Sequence, residues 1–215
     1  MRKPTLHTLK KDQIFLKMLN HLKINFNCHT FILYGSRARG VDVTESSDYD
    51  IIAIRRLGDN IREACEFEGG FIDAWIYSES ILKKIDSSFL RIKDGLIIEQ
   101  KKDFASQMLK KVDEFYEAGP VPTPKWEAIL IYSWLQKMYQ RSALKDIEGN
   151  YRRHWLLFDC LESYFKLRNL WYLGPKESFN WLKEHDKKVY RAFEKALSFD
   201  AKDIHIQKLV KLIVG

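Results

Sequence analysis

Tyr34-Gly35-Ser36-Arg37-Ala38-Arg39-Gly40, with Asp48-Tyr49-Asp50-Ile51 following an eleven-residue gap after Ser36, is the stretch on which the reading of this chain turns. Before it, Thr30-Phe31-Ile32-Leu33 has the β-branched and aromatic character of a buried strand, and it ends at a glycine where backbone can approach a ligand closely. The pattern predicts a strand feeding a tight, phosphate-sized turn. Asp48 and Asp50 flank a tyrosine at strand spacing, so their carboxylates share one face while Ile51-Ile52-Ala53-Ile54 runs on into the core. Two like charges in so small a space raise one pKa until a proton or a cation arrives. Magnesium, with its oxygen-rich octahedral shell completed by substrate phosphates, is the expected resident.

Gly35-Ser36, the gap, and Asp48-Tyr49-Asp50-Ile51 together resemble the signature of the polymerase-beta-like nucleotidyltransferase superfamily. The resemblance implies that the glycine-serine turn grips a triphosphate, that Asp48 and Asp50 carry catalytic metals, and that a third carboxylate lies on a neighbouring strand. Phe71-Ile72-Asp73-Ala74-Trp75-Ile76-Tyr77 supplies one, an aspartate in an otherwise apolar strand where an unpaired charge is costly. Asp48, Asp50 and Asp73 are therefore the expected ligands of two Mg2+ ions, with ATP or another nucleoside triphosphate as donor. Arg39 is expected to neutralise phosphate charge or to pair with one of the aspartates.

The chain has 215 residues, 46% of them hydrophobic, enough for a substantial core and for one or two domains. Six tryptophans, ten tyrosines and thirteen phenylalanines exclude a disordered tail. Cys28, Cys65 and Cys160 are odd in number and lack paired spacing, so neither a disulfide framework nor a zinc site is expected, and a reducing cytoplasm is the expected compartment. No segment has the composition of a signal peptide or the length to span a bilayer, so no membrane partner is expected. Residues 1–120 carry 19 basic and 18 acidic side chains and residues 121–215 carry 17 and 11, placing an excess of +6 of the net +7 in the second part. Such a bias suits a polyanion, although a lysine-rich solvated helical surface accounts for it equally well.

Helical periodicity predicts a helix from Asp12 to Ile24 that packs Ile14, Phe15, Met18, Leu19 and Leu22 on the sheet. His7, His21 and His29 show no ligand pattern and are expected at the surface or in caps. Arg55 to Gly70 reads as a charged connection without chemistry. Ser78 to Ile85 has helical composition, Leu96-Ile97-Ile98 reads as a further strand, and Lys102 to Ala118 as a helix. Gly119-Pro120-Val121-Pro122-Thr123-Pro124 is a stiff, extended connector and marks a boundary. The expected architecture is α+β: a small mixed β-sheet nucleotidyltransferase domain with flanking helices over 1–119, then an all-α bundle over 120–215. In that bundle Trp126, Leu130, Trp134 and Met138 recur every fourth residue, as packing residues would, and helices are expected over Tyr151 to Tyr172, Glu177 to Glu184, Val189 to Leu197 and Ile204 to Ile213.

On the Tyr151 helix, Phe158, Leu161 and Phe165 form an expected apolar stripe, with Asp159, Glu162, Lys166 and Asn169 on a polar ridge beside it. Spacing alone makes Glu162 and Lys166 an ordinary surface pair one turn apart. The segment from Glu162 to Asn169, however, resembles the corresponding helix of kanamycin-type aminoglycoside nucleotidyltransferases. The resemblance implies that Glu162 draws the proton from the acceptor hydroxyl and that Lys166 binds nucleotide phosphate, with Asp146, Glu148 and Asp159 as competing bases. Gly174-Pro175-Lys176 resembles the turn before the last helices of related adenylyltransferases.

The implied reaction moves a nucleoside monophosphate, AMP being the expected one, to a hydroxyl of an unidentified acceptor such as an aminoglycoside. The positive charge of the second part disfavours so cationic an acceptor. The alternatives are an antitoxin-type enzyme acting on a partner protein or an RNA end, with nucleic acid the less favoured acceptor, and a nucleotide-binding module without turnover. Oligomeric state is not fixed by the sequence.

Overall fold

The computed structural model describes residues 9, 11–40, 43–44, 47–144 and 146–215; His7 lies outside them. The chain divides into two compact units, Met1–Ala118 and Gly119–Gly215. The architecture is α+β, with a five-stranded mixed sheet followed by a run of helices. Among the described residues no helix is long and apolar enough to cross a membrane.

In the first unit α1 (Gln13–Phe26) is capped by the Asp12 side chain, which accepts from the Phe15 amide, and stops at Asn27 in the left-handed region, φ 55°. It buries Phe15, Met18, Leu19 and Leu22 against one sheet face. The strands are β1 (Cys28–Leu33), β2 (Tyr49–Arg55), β3 (Ile61–Phe67), β4 (Gly70–Ser78) and β5 (Leu96–Glu99). They lie in the order β3-β4-β2-β1-β5, with β2 and β4 parallel and every other pair antiparallel. Ile51 to Ile54 are all fully buried, which explains a continuous apolar run in a central strand covered on both faces. Ile72, Ala74 and Ile76 of β4 point to the α1 side, and Asp73, Trp75 and Tyr77 therefore point to the other.

Three expectations for this unit are corrected. The segment after β1 is a short helix, α2 (Gly35–Arg39), rather than a bare turn. The charged connection contains β3, whose half-buried Ile61, Glu63, Cys65 and Phe67 alternate with exposed Arg62, Ala64 and Glu66. After β4 the chain forms two 3-10 segments, Glu79–Lys83 and Ser87–Ile92, before α3 (Phe104–Glu117).

The second unit contains α4 (Lys125–Ser142), α5 (Ile147–Leu167), α6 (Pro175–His185), α7 (Lys187–Ala196) and α8 (Asp203–Val214). Its core includes Leu135, Met138, Leu156, Cys160, Phe165, Leu182, Phe193, Leu209 and Ile213. Not all of the expected packing stripes lie in it: Trp126 is 64% exposed, Leu130 59% and Phe158 61%. Each four-residue step overshoots a helical turn by about 40°, so Trp126 stands about 120° around α4 from buried Met138. Gly174, at φ 87°, precedes Pro175 at the first turn of α6, a position where the missing proline N–H costs nothing.

Candidate active site

The parallel register of β2 and β4 sets Asp50 directly beside Asp73, on adjacent strands and on the sheet face opposite α1. Asp48, two residues before Asp50 and exposed, stands at the entrance to β2. Overhead, Gly35 has φ +70°, and a Cβ built on it falls 2.0 Å from Asp50 Oδ2. Only a residue without a side chain lets the backbone descend this far onto the carboxylate. The corner is fixed by the Tyr34 amide, which donates to the Asp50 carbonyl at 2.9 Å.

Crowding has an electrostatic consequence. Burial first, then Asp73, then Asp48 push the Asp50 carboxyl from 3.8 up to about 6, against the opposing pull of Arg39 and Arg91. Asp73 has a cation of its own: Arg62 Nε donates to Oδ1 and Nη2 to Oδ2, both at 2.9 Å. The Arg62 guanidinium also lies 5.3 Å from the centre of the Trp75 ring, and that of Arg91 lies 4.9 Å from the same ring. Arg91 in addition donates to the Tyr77 hydroxyl at 3.1 Å.

Arg37 closes the loop that delivers Asp48. Its Nε and Nη2 donate to the Ser47 carbonyl at 2.9 and 2.7 Å, and its guanidinium covers the Tyr49 ring at 3.8 Å. Tyr49 in turn donates to Asp12 Oδ2 at 2.7 Å, so the start of β2 is tied to the cap of α1. Gly35, Ser36 and Arg39 all lie in α2, with Arg39 near enough to Asp50 to lower its pKa.

The donor set fits a hard dication: two carboxylates in register, a third at the strand entrance, and a glycine cradle above them. The cage is not closed as it stands. Among the described residues no group of three or more His, Cys, Asp and Glu side chains is drawn together enough to hold an ion, and both Asp73 oxygens are taken by Arg62.

In the second unit, the ridge on α5 serves mainly to hold helices together. Asp159 accepts from the Trp134 indole at 2.9 Å, and Lys166 pairs with Glu127 at 2.7 Å. Asn169 accepts from the Thr123 amide at 2.8 Å, and Arg168 donates to the Leu212 and Ile213 carbonyls at the end of α8. Of the competing bases, Asp146 caps α5 through the Gly149 amide and Glu148 pairs with Arg152. Glu162 is exposed, and its charge adds to burial in raising the Tyr172 phenol.

Two site residues escape the sequence reading, Arg62 and Arg91. The signal for Arg62 is weak, Ile61, Cys65 and Phe67 on one row with charged Glu63 among them; pairing with β4 turns Arg62 to the Asp73 side. Arg91 had none, because its place depends on a 3-10 segment docking on Tyr77 through Phe89, ring centres 5.3 Å apart.

No family model matches the chain, and no curated protein gives a significant match. Among solved structures it is similar to a nucleotidyltransferase-like protein from Exiguobacterium sibiricum 255-15, at 14% sequence identity and a TM-score of 0.44, over 94% of this chain and 73% of that one.

Proposed function

We propose that the chain is a magnesium-dependent nucleotidyltransferase that moves a nucleoside monophosphate, AMP from ATP as the first candidate, onto the hydroxyl of an acceptor. The observation that carries this reading is the side-by-side register of Asp50 and Asp73 beneath Gly35. Asp48, Asp50 and Asp73 would hold the divalent ions. Bound there, such ions supply charge neutralisation at the phosphates and lower the pKa of an attacking hydroxyl. The chain's own part is to set Asp50 and Asp73 side by side with Asp48 at the strand entrance, to bring the Gly35-Ser36 backbone close to the triphosphate, and to offer Arg39 to its charge. Glu162 takes the acceptor proton in this reading and Lys166 meets phosphate, both assigned through the likeness to kanamycin-type enzymes. An aminoglycoside is one acceptor class, and a partner protein or RNA end is another.

Pyrophosphate release from each nucleoside triphosphate, with Mg2+ and a panel of hydroxyl compounds, tests the proposal. Turnover that disappears in Asp50→Asn is expected; turnover unchanged in that variant refutes the assignment. The grip of Arg62 on Asp73 favours a second reading, a nucleotide-binding module without turnover. Thermal shift separates the two, since an enzyme of this type is stabilised by nucleotide and Mg2+ together, and a bare binding module by nucleotide alone.

A further inference from the structure

Arg62 stands where the chemistry of the site asks for a cation. It projects from β3, an edge strand, onto the face that carries Asp73, and its fork meets both carboxylate oxygens at 2.9 Å. The two partners are unequal. The Asp73 side chain is 16% exposed and the Arg62 side chain 52%, so the acid is fixed in the sheet while the guanidinium reaches it on a long arm from the solvent side. Asp73 lies in register with Asp50, and Arg62 places a positive charge beside this pair of neighbouring carboxylates. Both Asp73 oxygens face Arg62, and an ion in the site proposed above would need the same oxygens, so one carboxylate has two claimants.

We propose that Arg62 is a positioning residue that holds Asp73 in the metal-free protein and releases it when a divalent ion enters, so that ion affinity is set by competition with this ion pair. The inference rests on the metal site proposed above. Arg62 then acts as a placeholder, keeping the acids converged without an ion and weakening ion binding by the strength of the bidentate pair.

The test is Mn2+ binding to the full chain, followed by electron paramagnetic resonance of the free ion, for the parent, Arg62→Gln, Arg62→Lys and Asp50→Asn. Arg62→Gln is expected to bind Mn2+ about fivefold more tightly or better, the factor that corresponds to an exposed but well-formed ion pair. Arg62→Lys should return towards the parent, and Asp50→Asn should lose the site. Equal or weaker binding in Arg62→Gln, with Asp50→Asn still abolishing it, overturns the placeholder and leaves the metal site standing. Mn2+ binding in neither the parent nor Arg62→Gln overturns both. A second measurement needs no variant: the 15N resonance of Arg62 Nε, hydrogen-bonded to Asp73 in the metal-free chain, should shift and lose exchange protection at saturating Mg2+. A resonance unmoved by saturating Mg2+ overturns the proposal.

Discussion

Replacing Gly35 with alanine should damage the first unit through one atom. The new Cβ would sit 2.0 Å from Asp50 Oδ2 and 2.8 Å from its Cγ, and the residue would be held at φ +70°. The left-handed conformation costs a residue with a Cβ about 1–2 kcal/mol, and forcing a packed neighbour aside costs about 1–3 kcal/mol. The sum, about 2–5 kcal/mol, is large against the whole stability of a domain of this size. Hydrogen exchange followed by mass spectrometry on β1 and β2 peptides reads it without interference from the second unit, which holds five of the six tryptophans. A double-mutant cycle separates the two causes. In an Asp50→Ala background the carboxylate is gone, and Gly35→Ala should cost only the conformational part, about 1–2 kcal/mol. A full cost that persists in that background, or a single variant destabilised by less than about 1 kcal/mol, refutes the idea that the backbone is pressed onto the Asp50 carboxylate.

Other expectations follow from the same geometry. The Asp50 carboxyl, raised from 3.8 to about 6, keeps a proton in the folded chain that the unfolded chain has already released. Stability of the metal-free protein therefore falls as pH rises through that window, and Asp50→Asn should gain stability above it but not below pH 3.8. Simple linkage gives about 3 kcal/mol, and screening of a half-buried carboxyl reduces this to about 1–2 kcal/mol, measured by denaturation in chelator. A gain that is the same at both ends of the pH range contradicts this. Arg168→Ala should cost the helical unit about 2–4 kcal/mol, by circular dichroism, because it leaves carbonyls at the end of α8 without their donor. Arg168→Lys should recover only part of it, since an ammonium cannot span two carbonyls in the same way. Glu162→Gln should leave unfolding within about 0.5 kcal/mol of the parent and reduce turnover by about 100-fold or more. A smaller fall removes Glu162 from proton transfer.

How much of this could be read from residues alone varied with the range of the interaction. The strand before Gly35, helix α1 and helix α6 are written in local composition, and their bounds differ by only a residue or two from the structure. The pairing of Asp50 with Asp73 is a register property. Sequence supplied two acids on apolar strands, and only parallel pairing made them neighbours. β3 was missed because its charged residues hide the alternation of an edge strand whose one face is open. Phe158, Trp126 and Leu130 read as core because periodicity reports that a face exists, not how wide it is. Arg168 lies within a segment chosen for its likeness to a catalytic helix, yet its side chain ties α5 to the carbonyls of α8, a contact 44 and 45 residues away.

The placement of β4 between β2 and β3 has a consequence for how the sheet assembles. β3 and β4 are joined through Glu68 and Gly69 and pair along the whole length of β3, whereas β2 must find β4 across the chain. The nearby contacts close first, since short loops lose least entropy. On this order the hairpin arrives at β2 with Arg62 already on Asp73, and the guanidinium offsets part of the charge that repels Asp50 during docking. Arg62→Gln should accordingly refold more slowly at neutral pH than at pH 4, and a stopped-flow rate in this variant that ignores pH would show that the order is otherwise.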